Sequence, residues 1–118
     1  MRAQEPFSSF NVTVMRGVLH RPPQWRELPT GDSVTMFDLK LRQESRNEFV
    51  RVSWRNAPTT ALQLQEGEDL VVTGRVRSYW AGRRSETDVL AQAVVRATPR
   101  QVRKHVAASM ALLQEACT

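Results

Sequence analysis

The chain has 118 residues, 41% of them hydrophobic, with 17 Lys and Arg against 12 Asp and Glu and a formal net charge of +5. This length holds one domain with a single modest core and excludes two complete ones. The apolar runs are far too short to cross a bilayer, and the lone Cys117, next to last, excludes an intrachain disulfide and a thiolate metal cluster.

No signal-peptide pattern opens the chain, so a cytoplasmic location is expected. The positive charge favours an acidic partner such as nucleic acid. Its make-up is more informative than its size, because fifteen arginines stand against two lysines. A guanidinium stacks on a base and forks onto a phosphate, whereas an ammonium is mainly a point charge.

Residues 1–9 are polar and read as a flexible arm. From Phe10 the run NVTVMRGVL is rich in β-branched residues and predicts a first strand, with Gly17 allowing a bulge or a close backbone approach. His20 to Pro23 stops it. Leu28 to Asp32 is a turn: Pro29 presets φ, and Gly31 accepts a left-handed conformation. Trp25, in the loop before that turn, either meets a ligand or packs over a barrel end, and packing is slightly favoured.

The second strand alternates, with Phe37, Leu39 and Leu41 on one face and Met36, Asp38, Lys40 and Arg42 on the other. The third, Glu48 to Arg55, puts Val50, Val52 and Trp54 inward and Phe49, Arg51, Ser53 and Arg55 outward. A short helix is expected over Thr59 to Gln65, ended by Gly67. A fourth strand starts near Asp69 with Leu70 and Val72 inward and Val71 and Thr73 outward. Gly74 bends it, and Arg75, Arg77 and Tyr79 then share a face. Trp80 to Arg84 forms a hairpin tip, and a fifth strand runs from Ser85 to Ala97.

This is a mainly β pattern: five short strands with a helix between the third and fourth, the order of an OB-fold barrel. Residues 10–97 form that domain and residues 98–118 a C-terminal helix. Pro99 suits a first turn, and Val102, Val106, Met110, Leu113 and Cys117 recur at spacings of three or four. The stripe either docks on its own barrel or pairs between subunits.

Four segments resemble the bacterial single-stranded DNA-binding protein family. The run Asn11 to Arg42 is similar to the family's opening, with Asn11, Gly17, Leu19, Pro23, Arg26, Pro29 and Gly31 on its pattern. EFVRVSW, EGEDLVVTGRVRS and ETDVLAQAVV resemble its third, fourth and last strands in order. The resemblance implies an OB-fold that assembles into homo-oligomers, dimers or tetramers, and wraps single-stranded DNA by stacking bases on aromatics. It places Phe49 at a stacking position, Arg51 at a basic one, Arg55 where a second aromatic often stands, and Tyr79 and Trp80 near a third. Trp54 maps to a core position.

The residues lead to a similar site by a separate route, since a sequence-tolerant binder interleaves π surfaces for bases with cations for phosphates. Phe49, Arg51 and Arg55, beside Arg75, Arg77 and Tyr79, supply both, and Lys40, Arg42, Trp80 and Arg84 extend the set. Stacking contributes about 1–3 kcal/mol per base. Asp38 works against a uniformly anion-binding face. Solvated sheet or a subunit interface is the plainer reading of such a face.

No catalytic or metal constellation emerges. His20 and His105 are far apart in sequence, Cys117 sits at a terminus, and Glu66, Glu68 and Asp69 read as a solvated loop. No cofactor, metal, membrane or small-molecule substrate is expected, and the protein reads as a non-enzyme. It departs from the family in ending on a helix rather than a flexible linker and an acidic tip, as a specialised paralogue in DNA replication, recombination or repair would. Two alternatives stay open: an oligomeric interaction module with weak or no DNA binding, and an RNA-binding OB domain.

Overall fold

The computed structural model describes residues 9–117. The expected arm, residues 1–9, lies outside them except for Ser9. The elements are β1 (Thr13–Leu19), β2 (Gln24–Glu27), β3 (Ser33–Gln43), β4 (Arg46–Arg55), a 3₁₀ turn (Thr59–Gln63), β5 (Asp69–Ala81), β6 (Arg84–Arg96) and α1 (Pro99–Ala116).

Five of the strands close a barrel. β1 pairs antiparallel with β5 from Thr13↔Gly74 to Val18↔Asp69, and β5 pairs with β6. β6 meets β4 in parallel at Val52↔Val89, β4 pairs antiparallel with β3, and β3 returns to β1 at Leu19↔Leu39. This is the OB-fold closure. Asn11 extends the β1 edge by side chain alone, its Oδ1 accepting from the Val76 N–H at 3.1 Å.

Two glycines make this path possible. A Cβ on Gly17 would lie 2.6 Å from the Lys40 carbonyl oxygen, where β1 crosses from β5 towards β3. A Cβ on Gly74 would run into the Leu90 carbonyl, at the register shift between Thr73 and Gly74. The extra residue at that shift is Gln92, on β6 opposite Gly74.

The interior follows the alternation. Leu19, Phe37, Leu39, Val52, Leu70, Val72, Val89 and Ala91 form the core, with Leu41, Val50 and Trp54 packed against it. Each full burial of a Val, Leu or Phe contributes about 1.5–3 kcal/mol.

Several expectations need correction. The helix between the third and fourth barrel strands is only the 3₁₀ turn, stopping at Gln63 rather than Gln65. Its C-terminal flank Leu64 is extended and packs on the core, which pulls the chain out of the helix. The turn region contains an additional strand, β2, paired to the outside of β3. Trp25 lies on β2 and stays 55% exposed instead of covering a barrel end, because β2 is an edge strand exposed along its length.

Val71 and Thr73, expected outward and wet, are buried. They point away from the barrel core, but α1 lies against β1 and β5 and covers that side. α1 therefore rests on its own barrel, through only part of the expected stripe. Ser109 is buried, with Val102, His105, Leu113 and Ala116 half-buried, while Val106, Met110 and Cys117 are exposed. A small residue at the point of closest approach lets the helix sit near the sheet. The helix start matches expectation: Thr98 Oγ1 accepts from the Gln101 N–H at 3.2 Å, and Pro99 occupies the first turn.

Candidate nucleic-acid interface

The outer face of β3, β4, β6 and the barrel-proximal part of β5 brings together four of the ten expected residues, Phe49, Arg51, Arg77 and Tyr79. Along β4, Phe49, Arg51 and Ser53 point to this side, opposite Lys40, Asp38 and Met36 of β3 in register. Phe49 is 54% exposed. Its ring meets the imidazole of His20, with centroids 4.7 Å apart and planes inclined by 54°. His20 follows β1 directly, so the chain entering the β1–β2 connection supports the ring.

Beside Phe49 the charges are paired. Arg51 Nε donates to Asp38 Oδ1 at 2.8 Å, and that hydrogen bond raises the guanidinium pKa further above its ordinary value. Two strands over, on β5, Arg77 Nε and Nη2 donate to Asp88 Oδ1 and Oδ2 of the intervening β6 at 2.8 and 3.1 Å. Ser53 Oγ also donates to Asp88 Oδ2, at 2.6 Å. Burial alone pushes the Asp88 carboxyl up, but the bonds from Arg77 and Ser53 and the charges of Arg77 and Arg51 prevail, holding it below the usual carboxylate range. The Arg77 guanidinium lies over the ring of Tyr79, 4.9 Å from its centroid. Tyr79 remains 37% exposed.

Phe49, Arg51, Arg77 and Tyr79 are thus brought onto one surface, with Asp38 and Asp88 set among them. Ser53, expected outward and wet, is buried there because its hydroxyl serves Asp88. Asp88 itself was missed. Its only signal in the sequence is an acid interrupting a β-rich run, ETDVLAQ, and alternation cannot tell such an acid from a solvated one.

The remaining candidates lie around this surface. Lys40 and Arg42 line a groove with Arg16 and Asn47. Neither has an acidic partner among the described residues, whereas Arg16 is bound to Asp69 at 2.7 Å. Arg55 is turned away to the β2–β3 turn, where its Nη2 donates to Asp32 Oδ2 at 3.1 Å. Hydrogen bonds from Asn56 and Thr30 hold the Asp32 carboxyl below the usual range.

Arg75 lines an open groove of about 860 Å³ between α1 and β5–β6, with His105, Ser109 and Leu112. Trp80 is 76% exposed at the hairpin tip, one residue from Tyr79 and so on the opposite face of the ribbon. Arg84 is also at the tip, 3.4 Å from Glu86, but by register on the Tyr79 face. Trp54 packs against the core, as the alternation required. No group of three or more His, Cys, Asp or Glu able to hold a metal occurs among the described residues.

A closed five-stranded barrel with this strand order defines an OB-fold protein. No family model matches the chain. It is 32% identical over 102 residues to a single-stranded DNA-binding protein of Thermus thermophilus, a match covering 77% of this chain and 39% of that protein. The crystal structure of wild-type single-stranded DNA-binding protein from Thermus aquaticus aligns with a TM-score of 0.64 at 29% identity, over 75% of this chain and 41% of that one. The dimeric N-terminal domain of PriB from Thermoanaerobacter tencongensis shares the fold, with a TM-score of 0.62 at 19% identity over 75% of this chain and 97% of that one.

The resemblance to the single-stranded DNA-binding protein family therefore holds in both sequence and fold. The chain spans about two fifths of the length of the curated relatives it matches. No helix among the described residues is long and apolar enough to cross a membrane.

Proposed function

We propose that this protein binds single-stranded DNA with little regard to sequence, as a non-enzymatic cytoplasmic component of DNA replication, recombination or repair. The observation that carries the reading is the surface on which the exposed rings of Phe49 and Tyr79 alternate with Arg51 and Arg77. Bases stack on such rings whatever their identity, because every base has a π face. Lys40 and Arg42, without acidic partners among the described residues, stand beside it for phosphates. The curated relatives of Thermus bear the name of that activity.

Titration with oligo-dT, followed by tryptophan fluorescence at several salt concentrations and compared with duplex DNA and oligo-U, tests the reading. Binding to oligo-dT that weakens with salt and exceeds binding to the other two supports it. No binding at low salt overturns it in favour of an interaction module, and preference for oligo-U in favour of an RNA-binding domain.

Homo-oligomerisation belongs to the same proposal. From Thr13 to Gly17, β1 is bonded to β5 on one side and has no strand on the other among the described residues. Such an edge pairs readily with another chain. Light scattering of the full chain and of a deletion after Ala97 separates this edge from α1. An unchanged oligomeric mass in the deletion assigns assembly to the barrel.

A further inference from the structure

Asp88 occupies the centre of the proposed DNA surface, yet a buried acid is the group least suited to meeting a polyanion. Its side chain is 0% exposed. Both oxygens are engaged, Oδ1 by Arg77 Nε and Oδ2 by Arg77 Nη2 and Ser53 Oγ, so one carboxylate ties β4, β5 and β6 together. Arg77 presents its edge to Asp88 and its plane to Tyr79.

We infer that Asp88 is a positioning residue that withdraws Arg77 from phosphate binding and fixes its guanidinium against Tyr79, making the pair a platform for a base. The inference rests on the proposed DNA-binding reading and says how that surface sorts the parts of a nucleotide.

A bidentate arginine–carboxylate pair takes two of the five guanidinium donors and brings the net charge near zero, which removes most of the attraction for a phosphate. Arg51 is matched to Asp38 through a single bond, from Nε to Oδ1. The centre of the surface is thus close to neutral while its rings stay exposed. Lys40 and Arg42, lacking carboxylate partners among the described residues, mark the rim as the path for the backbone. With Arg77 on one face of the Tyr79 ring, the opposite face is left for a base. The arrangement favours bases at the centre and phosphates at the rim.

The test compares oligo-dT with an abasic oligonucleotide of equal length, each titrated over a range of salt. Wild-type protein should prefer oligo-dT. Asp88→Asn keeps the shape and removes the charge, freeing Arg77 for a phosphate. The slope of log K against log salt should steepen by about 0.7, the value for one further phosphate on a single strand. The preference for oligo-dT should fall at least about fivefold, as loss of one stacked base predicts.

Arg77→Lys, which keeps a cation beside Asp88 and loses the plane, should lower the preference similarly, whereas Tyr79→Phe should retain it. A folded Asp88→Asn with wild-type slope and preference overturns the inference. If Asp88→Asn does not fold, an unchanged preference in Arg77→Lys overturns it equally. Wild-type protein that fails to prefer oligo-dT instead removes the DNA-binding reading, and the inference with it.

Discussion

The imidazole of His20 rests against the ring of Phe49 at 4.7 Å between centroids, so the most exposed ring of the β4 surface is buttressed by the residue just after β1. An exposed phenyl ring on a strand otherwise swings between rotamers. A ring fixed on one side offers a base its other side at lower entropic cost.

Phe49→Ala should therefore weaken oligo-dT binding by about 1–3 kcal/mol. His20→Ala should cost less, up to about 1 kcal/mol, the scale of one aromatic pair. Anisotropy of a labelled oligonucleotide measures both. Equal losses in the two variants would mean that His20 itself carries a base.

Salt dependence distinguishes the arginines by their partners. Lys40 and Arg42 line one groove without carboxylates of their own, while Arg55 is committed to Asp32 in the turn. Lys40→Ala and Arg42→Ala should each reduce the slope of log K against log salt by about 0.7. Arg55→Ala should leave the slope alone, and the pair it breaks is exposed and screened by solvent, so stability should change little. An Arg55→Ala slope reduced as much as that of Lys40→Ala would return Arg55 to the DNA path.

Arg55 also shows where the sequence was legible and where it was not. Period-two alternation put it on the same strand face as Phe49 and Arg51, and the strand does present it there. The alternation carries no information on Asp32, twenty-three residues away and joined to it across the β3–β4 pairing. The same limit hid Asp88, whose partners Ser53 and Arg77 come from two other strands. By contrast the core was legible, because Leu39, Val52, Leu70 and Val72 obey a local period. Trp54 came off the surface by that rule too. The tilt of α1 was not legible, since burial of Ser109 depends on how closely the helix approaches β1 and β5.

Acid should expose the Asp88 network in stability. Its folded carboxyl is held below the usual range against the contrary effect of burial, by Arg77 and Ser53 with Arg51 nearby. A carboxyl lowered on folding stabilises the fold above its unfolded pKa, about 3.9, and that contribution is lost as pH falls through the lower folded value. Urea midpoints should thus be steady above about pH 5 and decline towards pH 3. Asp88→Asn should decline less steeply there, while being less stable at pH 7 by about 1.5–3 kcal/mol, the scale of a hydrogen bond to a charged group. An unchanged acid limb in Asp88→Asn would show that Asp32 and the other carboxylates carry the decline.

The barrel's two close approaches should differ in how much they tolerate. At Gly17 a methyl group would meet a carbonyl oxygen of Lys40 and the flexible end of Leu41, 2.7 Å away at Cδ2. Leu41 can rotate, and β1 is bonded to β3 only at Val18 and Leu19, so the strand has some room to shift. At Gly74 the methyl group would meet backbone alone, the Leu90 carbonyl and the Ala91 Cα, inside the longest strand pair of the sheet. Gly17→Ala should cost about 1–3 kcal/mol, as overpacking does. Gly74→Ala should cost more, because relief there requires breaking the β5–β6 register that sets Arg77 opposite Asp88. Urea denaturation of both variants decides the order. A Gly74→Ala protein as stable as Gly17→Ala would mean that the bulge at Gln92, opposite Thr73 and Gly74, moves along β6 without cost.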